Sequence, residues 1–110
     1  MFGSSVPVVG VDAVPDGSYL LDVREQDEWR AGHAPEAVHI PLNELSQRAA
    51  EVPRDVQVYV ICRVGGRSAQ AVQALNDAGW RTANVAGGMS AWALSGRPMV
   101  SETGAEPAVV

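Results

Sequence analysis

The chain has no lysine and a single cysteine, Cys62, and only 5% of its residues are aromatic. One thiol excludes an internal disulfide, and it excludes zinc or iron–sulfur ligation by several thiolates. A lone thiol suits a reducing compartment. Without lysine, all eight cations are arginines, planar donors matched to carboxylates and oxyanions. Thirteen acidic residues outnumber them and set the formal net charge at -5. That balance speaks against a nucleic-acid partner, because counterion release needs a dense basic face. No stretch approaches the roughly 20 apolar residues needed to cross a bilayer. The opening residues, MFGSSVPVVGVDAVPD, lack the basic and apolar regions of a secretion signal. The expectation is a soluble, cytoplasmic protein with no membrane partner, no metal and no cofactor.

What the chain does have is enough apolar content for one compact core: 46% apolar and 19% charged over 110 residues. That length is common for a single domain. Short apolar runs rich in β-formers read as buried strands at Tyr19–Val23, Ala37–Ile40 and Val56–Ile61. A weaker run covers Thr82–Ala86, and Pro7–Val9 adds a short first strand. Helical segments fall between them at Gln26–Ala31, Leu42–Glu51, Ser68–Ala78 and Met89–Leu94. The third is the clearest, with Ala69, Val72, Leu75 and Ala78 on one face and Gly79 as its stop. Strands alternating with helices predict an α/β fold, with a mostly parallel sheet and helices on both faces. Ligands in such a fold bind beyond the carboxyl ends of the strands. Residues 1–100 are read as the single domain, and Ser101–Val110 as a mobile tail without periodicity.

The segment that carries chemistry is Cys62-Arg-Val-Gly-Gly-Arg-Ser68, set between the strand ending at Ile61 and the clearest helix. Gly65 and Gly66 can take backbone angles closed to other residues. The loop can therefore turn successive N–H groups inward as an anion nest, aided by the free N–H groups of the helix. Arg63 and Arg67 add full positive charge. Each feature favours a thiolate at Cys62 over a thiol. A free cysteine is often just a small core residue, but its place at a strand end before a Gly/Arg loop favours the reactive reading.

Four blocks together resemble the rhodanese-homology domain, from about Pro7 to Val100. These are Leu20–Glu25 (LLDVRE), Gly32–Pro41 (GHAPEAVHIP), Cys62–Ser68 (CRVGGRS), and Gly87–Trp92 (GGMSAW) with Gly96–Pro98. The resemblance implies a five-stranded, mostly parallel sheet flanked by helices, and a two-step sulfur transfer. Cys62 would take a sulfane sulfur from thiosulfate or another persulfide donor. It would then pass that sulfur to a thiol, cyanide or protein acceptor. The six residues Cys62–Arg67 (Cys62, Arg63, Val64, Gly65, Gly66 and Arg67) would cradle the persulfide through backbone N–H groups, with Arg63 and Arg67 attracting an anionic donor. One departure is Glu36, where the family often has Gly or Asp, and it implies a local backbone difference in the Pro35–Ala37 turn.

Asp22 and Arg24 close the first long strand and should lie near Cys62. Asp22 is expected to bond the loop backbone, and Arg24 to pair with Glu28 or another acid; structural roles are favoured for both. Ser68 can donate to the persulfide or cap its helix. His33 and His39 read as structural, with His33 holding the turn at Gly32–Pro35. Of Trp29, Trp80 and Trp92, the last is the one placed to border a pocket.

Two rivals stand beside the enzyme reading. A cysteine phosphatase or arsenate reductase uses five residues between Cys and Arg, whereas four separate Cys62 from Arg67, a tighter loop suited to one sulfur atom. A sulfur-carrier or docking module would be loaded by a protein partner. The lone cysteine opposes a thiol-free docking role and is compatible with a carrier. Donor, acceptor, pathway and oligomeric state are not written in the sequence.

Overall fold

A computed structural model of the chain describes residues 6–110. Five strands, β1 (Val8–Val9), β2 (Tyr19–Asp22), β3 (Val38–His39), β4 (Val58–Ile61) and β5 (Thr82–Val85), alternate with helices. The helices are α1 (Gln26–Ala31), α2 (Leu45–Arg48), α3 (Gly66–Asp77) and α4 (Gly88–Leu94), with 3₁₀ turns at residues 11–13, 42–44 and 49–51. The sheet runs β1-β5-β4-β2-β3. All of its pairings are parallel, with Leu21 opposite Val60 and Val60 opposite Asn84 in the central register. The expected α/β architecture holds, and the sheet is parallel throughout.

Alternation along the central strands divides the core into two layers. Leu21, Val58 and Val60 pack with Leu45, Val72 and Leu75 under α2 and α3. Leu20 and Ile61 face the other way, against Val14, Val85, Met89 and Trp92 beneath α4. Helices therefore cover both faces, and β4 is buried on both, which is why it reads as one unbroken apolar run. Fully burying each such aliphatic side chain contributes about 1.5–3 kcal/mol.

The boundaries of α3 follow local rules. Gly65 enters it at φ +119°, and Ser68, Ala71, Val72 and Leu75 form its buried stripe. At its end the Gly79 N–H bonds Asn76 O and the Trp80 N–H bonds Leu75 O, a pairing that needs Gly79 at φ +104°. The segment 42–51 is a less regular helix than the sequence suggested, with only Leu45–Arg48 α-helical between two 3₁₀ turns. Pro41 and Pro53 bracket it, leaving too few residues for long α-helical propagation. At Pro35–Ala37 the Ala37 N–H bonds the Ala34 carbonyl in a turn. Among the described residues none but glycine takes positive φ, so Glu36 fits that turn without strain.

Residues 101–110 lie against α1, where the sequence suggested a mobile tail. His33 and Val100 exchange both backbone hydrogen bonds at 2.9 Å. The Glu102 and Ala108 N–H groups then bond the Arg30 and Ala31 carbonyls, each at 2.9 Å. The physical reason is that the last carbonyls of a helix need donors from outside it, and this segment supplies them. Of the span 1–100 read as the domain, residues 1–5 lie outside the described residues.

Candidate active site

Cys62 follows the last residue of β4, at the carboxyl edge of the sheet, and is 1% exposed. The Gly65 N–H donates to its Sγ at 3.1 Å, and the Ser68 hydroxyl lies 3.3 Å from the same atom. Burial pushes the thiol pKa up. The Ser68 hydroxyl and the backbone N–H groups of Ser68, Gly65 and Val64 more than offset that, and the result lies below the ordinary value. The loop thus presents a nest of donors around one sulfur, open to solvent at Arg63, Val64 and Gly66.

A second element closes the nest from the other side. The first turn of α4 donates Met89 N–H to Cys62 O at 2.8 Å and Ser90 N–H to Arg63 O at 3.0 Å. This approach requires glycine at position 88, where φ is +53° and an added Cβ would sit 2.3 Å from Cys62 O.

The two loop arginines differ in state. Arg67 is bound by the Glu28 carboxylate through two hydrogen bonds of 2.7 and 2.9 Å. The pair raises the Arg67 pKa and, chiefly through those bonds, lowers that of Glu28. Arg63 is exposed and makes no ion pair among the described residues. Of the two arginines expected to attract an anionic donor, Arg67 is thus already paired with the Glu28 carboxylate, which α1 brings to the first turn of α3.

Asp22 and Arg24 are both fully buried and pair with each other at 2.7 Å. Arg24 also donates to Gly32 O at 2.8 Å and Glu28 O at 3.3 Å. The expected partners are thus corrected. Asp22 bonds Arg24 in place of the loop backbone, and Arg24 reaches Glu28 only at its main-chain carbonyl. Together they fasten α1 to the end of β2 and hold Glu28 where Arg67 meets it.

His33 and His39 sandwich the Trp29 ring, with centroids 3.5 and 4.7 Å away and planes 4° and 6° from parallel. His39 Nε2 donates to Arg24 O at 2.7 Å, while His33 contacts Ala34 O and the Glu102 carboxylate. Neither bonds Cys62 among the described contacts; both hold backbone carbonyls around Trp29 instead. Trp92 donates to Pro98 O at 3.0 Å. It lines a cleft with Val14, Leu20, Pro35 and Arg97 that no loop residue borders.

Sequence reasoning missed Asn84. Its side-chain N–H donates to Gly65 O at 3.1 Å, and its Oδ1 accepts the Ser68 hydroxyl. A signal was available: a lone asparagine inside a buried strand must find partners, and β5 neighbours the loop-bearing β4.

With this geometry in place, likeness to known proteins is informative. The family described as Rhodanese-like domain matches residues 11–95. A protein named sulfurtransferase from Allochromatium vinosum is 38% identical over 86 residues, 77% of this chain and 80% of its own length. A Bacillus subtilis protein provisionally named sulfur carrier protein YrkF is 35% identical over 96 residues. The match covers 81% of this chain and 52% of YrkF, so the chain spans about half of that relative. The crystal structure of a thiosulfate sulfurtransferase from Pseudomonas aeruginosa superposes with TM-score 0.77 at 29% identity. That match covers 89% of this chain and 21% of the larger protein.

Proposed function

The chain belongs to the rhodanese-like domain family, and from that premise we propose that it is a sulfurtransferase working through a persulfide on Cys62. The observation that carries this reading is the donor-lined Cys62 sulfur, with Gly65 N–H at 3.1 Å and a pKa held below the ordinary thiol value. In the proposed cycle a sulfur lone pair of the Cys62 thiolate attacks the outer sulfur of the donor. The donor's S–S bond breaks and its remainder leaves; for thiosulfate that remainder is sulfite. An acceptor nucleophile then takes the outer sulfur, and the electrons of the new S–S bond return to Sγ as thiolate. The steps balance without an oxidant, and the N–H groups of Val64, Gly65 and Ser68 stay aimed at sulfur throughout. Arg63, Val64, Gly65, Gly66, Arg67 and Ser68 form the proposed binding loop, while Asp22 and Arg24 support it from the end of β2.

One observation favours a second donor class. Because Glu28 already neutralises Arg67, the loop offers a dianion such as thiosulfate only the exposed Arg63. A persulfide borne by a small thiol or a protein asks for less positive charge, which suits a sulfur-carrier role. Four residues between Cys62 and Arg67 weigh against a phosphatase or arsenate reductase.

Intact mass spectrometry tests the proposal. The reduced protein is incubated with thiosulfate or with a low-molecular-weight persulfide, and then with cyanide. Gain of one sulfur, removed by cyanide and absent in Cys62→Ser, is expected. Loading by the persulfide alone supports the carrier form, and no loading by either donor overturns the sulfur-transfer reading.

A further inference from the structure

Asn84 is a buried residue of β5 whose amide is gripped by the active loop. Its Nδ2 donates to Gly65 O at 3.1 Å and its Oδ1 faces the Ser68 hydroxyl within hydrogen-bond reach. The Gly65 carbonyl fixes this orientation, since a flipped amide would set two acceptor oxygens against each other. The amide oxygen can only accept, so Ser68 is the donor of that bond. A hydroxyl has one proton. Three acceptors lie within its reach, Asn84 Oδ1, Gly65 O at 3.2 Å and Cys62 Sγ at 3.3 Å, so whatever share goes to Asn84 is withheld from Sγ. That arrangement suits a protonated Sγ, or one whose charge lies elsewhere. A charged Sγ calls for the Ser68 proton, and turning it there strips a buried carbonyl oxygen of its partner.

Resting on the sulfur-transfer reading, we propose that Asn84 is a positioning residue that holds the Ser68 hydroxyl off Cys62 and thereby favours the loaded sulfur over the free thiolate. In the free thiolate the full negative charge sits on Sγ. After loading, Sγ is one end of a neutral S–S link and the charge has moved to the outer sulfur, so Ser68 can return its proton to Asn84. Delivery reverses this: the S–S electrons come back to Sγ, and Ser68 must leave Asn84 again. The acceptor on β5 thus makes the empty site the costlier state and lengthens the stay of sulfur on Cys62. The charged groups on the elements next to the loop are Arg63 on the loop itself, Arg67 on α3 with Glu28 on α1, and the Asp22–Arg24 pair at the end of β2. None of them hydrogen-bonds the Asn84 side chain, so a change at position 84 leaves them in place.

The test titrates Cys62, the only thiol, through the pH dependence of its alkylation rate. Asn84→Ala releases the Ser68 hydroxyl, and the midpoint should fall by about half a unit to one unit, the effect of one hydrogen bond gained by the thiolate. In a Ser68→Ala background the same change should leave the midpoint where it is. Asn84→Leu, close to asparagine in size and unable to accept, should give the same fall and serves if the smaller side chain prevents folding. The ratio of loaded to free Cys62 in a thiosulfate–sulfite mixture should drop about three- to tenfold alongside. A midpoint that stays or rises in both Asn84 variants overturns the proposal and leaves Asn84 as a loop fastener only. Sulfur uptake is scored separately by mass, so a midpoint that falls in a protein taking up no sulfur would strike the sulfur-transfer reading alone.

Discussion

At the scale of single residues, the site is a contest between burial and donors at Cys62. Burial favours the neutral thiol, and the hydrogen bonds from Ser68, Gly65 and Val64 favour the thiolate and prevail. The sign follows directly. Loading with a persulfide donor should lose its rate as pH falls through the Cys62 midpoint, and that midpoint should lie below that of an unperturbed thiol. A rate-versus-pH curve with its half-point at or above the unperturbed value would refute the nest. Glu28 gives a second residue-scale test. Its carboxyl is held below the usual range by Arg67, so the pair persists across neutral pH and opens only in acid. Glu28→Gln removes the compensating charge at all pH values and leaves Arg67 facing the loop. The KM for thiosulfate should fall about fivefold at low ionic strength, as expected for about 1 kcal/mol of uncovered attraction, and the gain should fade in salt. An unchanged KM would show that Arg67 does not act on the donor.

At the scale of elements, the helices position the loop by close backbone contact. α4 reaches Cys62 and Arg63 only because residue 88 has no side chain. Gly88→Ala would drive a Cβ into Cys62 O and the Arg63 carbonyl group, so sulfur uptake should drop at least tenfold while Gly10→Ala, in open space, does nothing. α1 is fastened by the buried Arg24. Arg24→Met leaves Asp22 charged and unpaired where neither side chain meets solvent, and urea unfolding should show a loss of about 3–5 kcal/mol. The loss should be smaller when Asp22→Leu is added, since the stranded charge is then gone. These two elements also show what could be read in advance. β2 and β4 were legible because a strand buried on both faces must be apolar along its length, and α3 because a glycine stops it, although its buried stripe is Ser68, Ala71, Val72 and Leu75, with Ala69 half-buried and Ala78 exposed where the sequence placed both inside. The Cys62 loop was legible because strand, glycines, arginines and helix follow one another without a gap. The pairings were not. Arg67 meets Glu28 across 39 residues and Ser68 meets Asn84 across 16, and only the parallel register brings such residues together. The Asp22–Arg24 pair is local, but it forms because the chain bends after β2 and buries both side chains, which no spacing rule states.

At the scale of the whole molecule, arginine ties distant segments together, which gives the missing lysine a structural meaning. Arg97 donates to Val11 O and Val14 O, meets Asp16 and lies over the Trp92 ring. Arg54 donates to Ala78 O and lies over Trp80. A planar guanidinium can serve several acceptors and stack at once; an ammonium cannot. The end of the chain is tied in by a different device. Residues 101–110 cap the last carbonyls of α1, place Glu102 on His33 and set Val109 against the second core layer. Gly32 allows the approach, for a Cβ there would lie 2.6 Å from Ala108 O. If this segment belongs to the fold, a chain ending at Val100 should melt lower by about 4–8 °C, the shift that accompanies about 1 kcal/mol in a domain near this size. Its sulfur uptake by mass should be unchanged, because no residue of the segment bonds the Cys62 loop among the described contacts. Gly32→Ala in the full chain should reproduce most of that drop by forcing the segment away, and should add little to the shortened chain, where Met99 alone remains to be displaced. Equal melting temperatures for full and shortened chains would instead end the folded unit at Val100.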